Sequence, residues 1–381
     1  MGDAKGKHLV IVGGGHAHMT VLKNLDSFVR QGHRVTLIGP SHHHYYSGMG
    51  PGVLSGIYKP QEVRFNVKKM VENRGGSFVL GSVIRIDAES RNLFLNTGEE
   101  VEYDAVSFNV GSYVPADSLN VRENVFTVKP IENLLRARQI ILDLVSQTKP
   151  KIIVVGGGAS GVEITGNIWR LLHDRGLTGQ ITLLAGEKLL SRFPEKARRL
   201  AIESLVGREI EVLEGSGVSS FDQGFAHLED GRDYPYELAL LAWGIRPPDL
   251  FRQSGLPTGE DGGLLVNEYL QSVGHAEIFG GGDCISFQGH PLDRVGVHAV
   301  RQNPILYHNL HAALAGGKLQ SFKPNDVYLL LFNLGNGKAI YWRNTQVWSG
   351  RLLFAFKNYL DKKFMRKFQV SGELDELESS S

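Results

Sequence analysis

Cysteine is almost absent from this chain of 381 residues, which contains Cys284 and no other. One thiol cannot form an intrachain disulfide, a Cys-x-x-Cys redox pair or a zinc cluster of several cysteines. Chemistry that relies on two neighbouring thiols, such as disulfide reduction, is therefore disfavoured. A lone cysteine beside apolar residues is more often inert packing than a reactive group. Its scarcity predicts a reducing, cytoplasmic location.

The chain also lacks long hydrophobic runs and any strong excess of charge. Hydrophobic residues make up 42% of the sequence, charged residues 21%, and the net charge is +1. No run approaches the roughly 20 apolar residues that span a bilayer, and the N-terminus shows no signal-peptide core. These features predict a soluble globular protein of two or three domains, without a nucleic-acid partner.

Glycine is abundant, and it concentrates in two turns about 140 residues apart that each follow a β-branched run. Such a turn brings the backbone against a pyrophosphate and directs a helix N-terminus at it. The second turn holds all three motif glycines, at Gly156, Gly158 and Gly161, whereas the first has His18 in the third place. Two copies predict two bound dinucleotides, and a pair of ordinary strand-to-helix turns is the alternative.

The order of elements repeats along the chain. Each turn is followed by a predicted helix and a second strand, and the segments 106–115 and 238–248 echo each other. We predict a first domain over residues 1–113 and 247–325 and a second over 114–246. A C-terminal region would follow over 326–381, with a polar, disordered tail from Gly372.

These landmarks resemble the two-dinucleotide-binding-domain flavoproteins of the FAD-dependent pyridine nucleotide-disulfide oxidoreductase superfamily. A narrower likeness is to type II NADH dehydrogenase-like proteins of a group associated with selenide water dikinase. The resemblance implies an α/β fold with two Rossmann-like domains, each in three ββα layers. The second domain would be inserted in the first, and a small α+β region would end the chain.

The resemblance also implies which residues meet the cofactors, FAD and NAD(P)H. Asp283 would accept a hydrogen bond from the ribityl chain of FAD, and the backbone of Val83 would meet the adenine. The other residues expected near FAD are Gly13, Gly14, Gly15, His16, Ser41, Asn109, Gly111 and Val297. Those expected near NAD(P)H are Gly156, Gly158, Ser160, Gly161 and Gly244. Ser41 stands where the family usually places an acid for the ribose, and the acid is also displaced in the second unit, so NADH and NADPH both stay open.

Two residues are candidates for proton chemistry. Glu163 matches a family glutamate near the contact between nicotinamide and flavin, and the alternative is a carboxylate that only complements its helix dipole. His298 lies on the helix that carries two glutamines in type II NADH dehydrogenases, which are Val297 and Arg301 here. It is a candidate proton donor to the acceptor, and the alternative is an ordinary polar helix position.

The C-terminal helix predicted over 352–368 combines apolar residues at helical spacing with many lysines and arginines. Leu353, Phe356, Leu360 and Phe364 would share one face, which suits peripheral contact with the inner face of the cell membrane. Packing on its own flavin domain or in a homodimer is the alternative. The run His42–His44 is not a metal site, because consecutive side chains point in different directions.

The sequence therefore predicts an oxidoreductase that takes hydride from NAD(P)H and passes electrons through FAD to a quinone-like or other small acceptor. It would do so without a redox-active disulfide. Two alternatives remain. One is a soluble reductase of a protein or of a selenium or sulfur species, and the other is a slow flavin-based redox sensor.

Overall fold

A computed structural model describes residues 6–116, 119, 124–222 and 224–376. The strands up to the end of the first unit are β1 (His8–Val12), β2 (Arg34–Gly39), β3 (His43–Tyr45), β4 (Arg64–Asn66), β5 (Ser77–Leu80), β6 (Val83–Asp87), β7 (Asn92–Leu95), β8 (Glu100–Glu102) and β9 (Ala105–Phe108). Those of the second unit are β10 (Val125–Thr127), β11 (Lys151–Val155), β12 (Gln180–Leu184), β13 (Glu211–Leu213), β14 (Val218–Asp222), β15 (Phe225–Leu228), β16 (Asp233–Pro235) and β17 (Leu238–Leu241). The remaining strands are β18 (Leu264–Val266), β19 (Ile278–Gly280), β20 (Ile285–Phe287), β21 (Leu330–Asn333), β22 (Ala339–Arg343) and β23 (Gln346–Gly350).

The helices connect these strands and cover the sheets. They are α1 (Met19–Lys23), α2 (Asp26–Arg30), α3 (Gly50–Ser55), α4 (Val67–Glu72), α5 (Glu132–Val145), α6 (Ala159–His173), α7 (Glu195–Val206), α8 (Leu250–Gln253), α9 (Gly296–Ala315) and α10 (Arg351–Phe368). Within the described ranges, no helix is both long and apolar enough to cross a membrane.

Two parallel five-stranded sheets organise the molecule. The first has the order β19-β9-β1-β2-β5 and the second β10-β17-β11-β12-β13. The central strand β1 is buried along its whole length and β11 from Ile152 onward, as expected for β-branched runs covered on both faces. Each unit adds a three-stranded antiparallel sheet, β6-β7-β8 in the first and β14-β15-β16 in the second. The two units therefore have the three-layer architecture expected from the sequence.

Strand β19 follows the second unit in sequence yet completes the sheet of the first, beside β9. The second unit is thus inserted in the first, as predicted. The chain crosses between them on two segments that pair with each other, since Tyr113 and Arg246 exchange both backbone hydrogen bonds at 2.9 Å. These are the two segments whose sequences echo each other.

The C-terminal region packs against both units. Its antiparallel sheet β21-β22-β23 lies against α6, where a Cβ added at Gly166 would stand 2.3 Å from the carbonyl oxygen of Leu334. Helix α10 packs against the first unit, and Phe364 stacks on Tyr46 with ring centroids 4.9 Å apart. Strand β23 was not foreseen, because its short run of mixed residues carries no clear alternation.

Two local expectations differ from the structure. The helix expected after the first glycine turn is broken into α1 and α2, preceded by a 3-10 turn at His16–His18. The tail was expected to be disordered, but Glu373 is buried and Glu376 pairs with Arg64 at 2.9 Å. These charged residues were expected to face solvent, but they have buried partners on the first unit. Residues 377–381 lie outside the described part.

Candidate functional site

The second glycine turn has a separate structural reason for each of its motif glycines. Gly156 adopts φ +136°, and a Cβ there would lie 2.5 Å from the carbonyl oxygen of Ala242. A Cβ at Gly161 would lie 1.8 Å from the Gly156 carbonyl, so only glycine lets α6 pack this close to β11. A Cβ at Gly158 would meet nothing within 4 Å, and neither would one at Gly244. The turn therefore presents an open face of backbone where a dinucleotide can approach.

Ser160 is exposed in the first turn of α6, beside the open face. Beyond β12, where a ribose would lie, Glu187 is exposed and Lys188 pairs with Glu195 at 3.3 Å. Both signs of charge are thus present near the predicted ribose, which leaves NADH and NADPH open.

The first turn is crowded by protein where the second is open. Gly13 adopts φ +85°, and a Cβ there would lie 2.4 Å from the carbonyl oxygen of Asn109. A Cβ at Gly14 would lie 2.8 Å from Val67, and one at Gly15 would lie 2.7 Å from the Asn109 side chain. Asn109 therefore packs beneath the turn, and its buried Nδ2 has no hydrogen-bond partner within the described chain. A buried amide donor without a protein partner is expected where a bound cofactor supplies the hydrogen-bond acceptor.

His18 fills the place of the third glycine. Its ring is fully buried, and Nδ1–H donates to the carbonyl oxygen of Gly13 at 2.7 Å. Because Nδ1 carries the proton, Nε2 accepts from the Ser107 hydroxyl on β9 at 2.8 Å. Burial lowers the pKa of His18 to about 4 and keeps the ring neutral. The imidazole thus joins the first turn to its sheet by hydrogen bonds. In the second turn, Gly161 allows the helix to pack on the strand by direct backbone contact.

Asp283 lies in a 3-10 turn directly after β19. Its carboxylate accepts hydrogen bonds from Ser112 at 2.8 Å and from Lys129 at 3.0 Å. Burial acts to raise the pKa of Asp283, but the Lys129 charge and these hydrogen bonds outweigh it and hold the pKa low. Gly111, whose added Cβ would meet nothing within 4 Å, precedes Ser112 in the same turn. An ionised acid therefore stands in this turn beside Ser112 and Lys129, as a partner of sugar hydroxyls would.

Two histidines lie near Asp283 and Lys129. The rings of His16 and His44 meet edge to face at 5.3 Å, and the Nε2 atom of each is buried without a partner in the described chain. Burial lowers the pKa of His16 to about 4 and that of His44 to about 3, so both rings are neutral. Unpaired polar atoms of this kind, together with Asn109 and Asp283, fit a large polar cofactor such as FAD. His44 was not foreseen, since its sequence neighbours suggested only a polar loop.

The three consecutive histidines contact three different partners. His42 lies against Phe78, His43 donates to Glu376 at 2.9 Å, and His44 faces His16. No group of three or more His, Cys, Asp or Glu side chains in the described ranges is arranged to hold a metal ion.

The remaining predicted FAD residues lie around the rim of this unit. Ser41 is half-buried and its hydroxyl oxygen accepts from the backbone N–H of His43 at 3.2 Å. Val83 is half-buried at the start of β6, and Val297 is half-buried in the first turn of α9. The structure describes their positions, and their roles towards FAD stay predictions.

His298 is buried in the first turn of α9, with 4% of its surface exposed. Its ring meets Tyr328 edge to face at 5.6 Å, and its Nδ1 has no partner in the described chain. Burial, followed by the Arg301 charge, lowers the pKa of His298. Arg301 itself donates to the carbonyl oxygens of Asn325 at 2.7 Å and Val327 at 2.8 Å, so it anchors the approach to β21. A neutral, enclosed imidazole is a poor proton source near pH 7, and the role of His298 as a proton donor stays a prediction.

Glu163 sits where the second unit meets the C-terminal region. Its Oε1 accepts from the backbone N–H of Asn333 at 2.7 Å. Burial raises the pKa of Glu163 to about 7, although the Lys357 charge and the Asn333 hydrogen bond oppose the rise. A carboxylate that only complemented a helix dipole would be exposed and ionised, so this environment favours the proton-transfer interpretation.

Lys357 and Asp361 of α10 complete this cluster, and sequence reasoning missed them. Both are buried, and the Lys357 ammonium donates to Asp361 at 2.7 Å and to the carbonyl oxygen of Gly48 at 2.7 Å. The Tyr46 hydroxyl donates to the other Asp361 oxygen at 3.2 Å. The spacing Lys-x-x-x-Asp was a usable signal, because it puts opposite charges on one helix face.

Cys284 takes no part in this chemistry. The thiol is fully buried, and burial raises its pKa to about 12. The reactive thiolate is therefore not available.

Comparison with known proteins agrees with this geometry. Residues 7–311 match the model of the pyridine nucleotide-disulphide oxidoreductase family. The chain belongs to that family. It is an oxidoreductase that uses FAD and NAD(P)H, as the sequence predicted. With a single buried cysteine, this member lacks the cysteine pair that the family name implies.

Individual members of the family cover most of the chain. Ferroptosis suppressor protein 1 from Xenopus tropicalis is 25% identical over 345 residues, 85% of each chain. The type II NADH:quinone oxidoreductase of Haemophilus influenzae is 25% identical and covers 88% of this chain and 86% of its own. The solved structure of NDH2 from Plasmodium falciparum in complex with NADH superposes with a TM-score of 0.81 at 17% identity, over 97% of this chain and 98% of that chain. The predicted fold class is confirmed, and the link to selenide water dikinase stays a prediction.

Proposed function

We propose that this oxidoreductase transfers electrons from NAD(P)H through FAD to a quinone held in a membrane. The observation that carries the proposal is the Glu163–Lys357–Asp361 cluster, in which a carboxylate of the nucleotide-binding helix α6 interacts electrostatically with a buried ion pair of α10. The similarity to the type II NADH:quinone oxidoreductase of Haemophilus influenzae supports the proposal. Residues 1–113 and 247–325 would form the FAD domain, 114–246 the NAD(P)H domain and 326–381 the C-terminal region.

The overall reaction needs one proton beyond the hydride. A quinone takes up two electrons and two protons to become a quinol, whereas a hydride carries two electrons and one proton. Bound FAD would supply the two-electron chemistry that links hydride oxidation of NAD(P)H to quinone reduction. The second proton must come from a group that is partly protonated near pH 7. Glu163, with its pKa of about 7, meets this requirement.

The chain's own residues do the binding and orienting. Asp283 would hold the ribityl hydroxyls, and the first glycine turn with His16 and Asn109 would hold the pyrophosphate side of FAD. The open face around Gly158 and Gly244 would hold NAD(P)H. Because Lys129 already neutralises Asp283, the acid can stay ionised in its half-buried position without a further counter-ion.

The outer face of α10 suits a membrane surface. Leu352, Phe356 and Tyr359 lie one turn apart and are 85%, 41% and 54% exposed, and Trp348 just before the helix is 48% exposed. The exposed basic residues Lys362, Lys363, Arg366 and Lys367 add positive charge along the same helix. Apolar side chains flanked by cations bind the interface of anionic bilayers.

This face differs from the one expected from the sequence. Phe364 turns inward and stacks on Tyr46, and Leu353 and Leu360 are half-buried. Only Phe356 of the four expected residues is largely exposed. The helix therefore packs on its own unit with one face, and we propose that the opposite face contacts lipid on the inner side of the cell membrane.

A variant of the outer face tests this proposal. Replacing Leu352, Phe356 and Tyr359 together with serine removes the apolar contact without touching the buried face. We expect co-sedimentation with anionic lipid vesicles to fall about tenfold or more, because each buried apolar side chain contributes about 1 to 2 kcal/mol. Turnover with a long-chain quinone in vesicles should fall with it, while turnover with a water-soluble acceptor stays unchanged.

The matched control is Phe225→Ser, which removes a 45% exposed phenylalanine from the second unit. It should alter neither vesicle binding nor turnover. Equal vesicle binding by the triple variant and the parent protein would contradict membrane contact through α10. A protein that is active with soluble acceptors and inactive with every quinone would favour the soluble-reductase alternative.

A further inference from the structure

Asp361 occupies the centre of the buried cluster, on the face of α10 that meets the first unit. Its two carboxylate oxygens accept from different groups, Oδ2 from the Lys357 ammonium at 2.7 Å and Oδ1 from the Tyr46 hydroxyl at 3.2 Å. The Lys357 ammonium also donates a hydrogen bond to the carbonyl oxygen of Gly48. These contacts hold the ammonium between Asp361 and the Gly48 carbonyl oxygen of the first unit. In the described chain, Lys357 makes no direct ion pair with Glu163.

The cluster contains two carboxylates and one ammonium. In a buried site a single cation can stabilise one carboxylate fully, and the second then tends to keep its proton. Asp361 has the direct contact with the cation, so Glu163 is the carboxylate left to exchange a proton. Asp361 and Glu163 therefore compete for Lys357, and the direct contact of Asp361 with the ammonium decides which carboxylate stays ionised.

The charged and titratable groups that act on Glu163 come from two sides. Lys357 and Asp361 face it from α10, and the Tyr46 and Tyr58 hydroxyls interact with it from the first unit. The Asn333 backbone N–H completes its surroundings from β21. Burial and the nearby carboxylates raise the pKa of both tyrosines far above 7. The tyrosines thus stay neutral, and Lys357 and Asp361 are the charged side chains that act on the pKa of Glu163.

We propose that Asp361 is a positioning residue that holds Lys357 away from Glu163 and so leaves Glu163 free to take up and release a proton. The proposal rests on the proposed function only for the use made of that proton. Asp361 itself touches neither cofactor nor acceptor in this account. It acts through Lys357, on a helix whose outer face is the proposed membrane contact.

Infrared spectroscopy of the FAD-loaded protein tests the proposal directly. The carbonyl stretch of a protonated carboxyl group is titrated from pH 5 to 9, and its absence in Glu163→Gln assigns the band to Glu163. In Asp361→Asn the lysine is released towards Glu163 and stabilises its charged form. We expect the midpoint to move by about one pH unit or more to lower pH. An unchanged midpoint would overturn the proposal.

Further variants separate positioning from simple charge repulsion. In a Lys357→Gln background, Asp361→Asn should shift the Glu163 midpoint by less than half as much, and equal shifts in both backgrounds would overturn the role of Lys357. Asp361→Glu keeps the charge and should restore a midpoint close to that of the parent. Tyr46→Phe removes one contact of Asp361 without changing charge and is the matched control.

A second variant tests the proposal if Asp361→Asn is too unstable to measure. Lys357→Gln alone should move the midpoint to higher pH, since Asp361 would then face Glu163 without its cation, and no movement would overturn the proposal. The band reports protonation without turnover. A shifted band in a protein that never reduces quinone would therefore refute the proposed function and leave the positioning role intact.

Discussion

The two glycine turns of this molecule perform the same task with different chemistry. In the second, Gly161 lets α6 pack on its strand through a close backbone contact, and α6 runs unbroken from Ala159 to His173. In the first, the His18 ring joins Gly13 to Ser107 by two hydrogen bonds, and the following helix is broken into short pieces. A motif position that usually demands the smallest residue thus accepts a large one, provided that both ring nitrogens find partners.

The comparison extends to the residue two places further on. Glu163 follows Gly161 by two positions, and Thr20 follows His18 by two positions. The backbone N–H of Thr20 donates to Asn303 of α9 at 2.6 Å, whereas the Glu163 side chain accepts from β21. Both places are docking points for later parts of the chain, but only the second carries a titratable group. Of these two matched positions, only the second can therefore exchange a proton.

The largest effect is expected from Gly161→Ala. The added methyl group would lie 1.8 Å from the Gly156 carbonyl oxygen, so α6 must move away from β11. We expect a loss of about 3 kcal/mol in the free energy of unfolding and a loss of NADH binding. Thermal unfolding and quenching of protein fluorescence by NADH measure the two effects.

Gly158→Ala is the matched control for this change. Gly158 has φ −82°, which any residue adopts, and its added methyl group would meet no protein atom within 4 Å. Stability should change by less than about 0.5 kcal/mol, while NADH affinity still falls because the methyl group occupies the open face. Unchanged NADH affinity in Gly158→Ala would show that the nucleotide does not lie over this turn.

A smaller effect is expected from His18→Leu in the first turn. Leucine fills most of the space but leaves the Gly13 carbonyl and the Ser107 hydroxyl without their partners. The expected cost is about 2 kcal/mol, with weaker retention of FAD during purification. Ser107→Ala breaks only one of the two bonds and should cost about half as much. Equal stability of His18→Leu and the parent would mean that the imidazole is only filling space.

The same histidine also makes stability depend on pH. The folded-state pKa of about 4 is below the ordinary value of 6.5, so the unfolded chain binds a proton first as the pH falls. Stability from this group is present above pH 6.5 and decreases as the pH falls from 6.5 towards 4. Between pH 7 and 5 the parent should lose about 2 kcal/mol more than His18→Leu. Parallel stability curves from denaturant unfolding would contradict a neutral His18.

Much of the fold followed from local patterns, because the central strands β1 and β11 of the two parallel sheets are β-branched runs that lead directly into glycine turns. The sequence predicts a helix from about Ser160 to His173 and a strand over Gln180–Leu184, and the structure has α6 at Ala159–His173 and β12 at Gln180–Leu184. The break in the first helix was not predicted, because it depends on tertiary partners. His18 binds Ser107, 89 positions away, and no local pattern encodes that contact.

The candidate site shows the same division. Gly156, Gly158, Gly161 and Asp283 were identifiable because turn and strand-end positions are fixed by the motif itself. Lys357 and Asp361 were read as part of a basic, amphipathic helix, since nothing in their own segment shows that they face Glu163, nearly two hundred residues earlier in the sequence. Charged residues buried by distant packing are the class that sequence reasoning misses most easily.

The central claim is that two dinucleotides bound at the two turns pass electrons to a quinone. Anaerobic titration of the purified protein, followed by its flavin absorbance, tests this most directly. One equivalent of NAD(P)H per flavin should bleach the absorbance, and one equivalent of quinone should then restore it. A protein without flavin, or a bleached flavin that no quinone restores, would contradict the account.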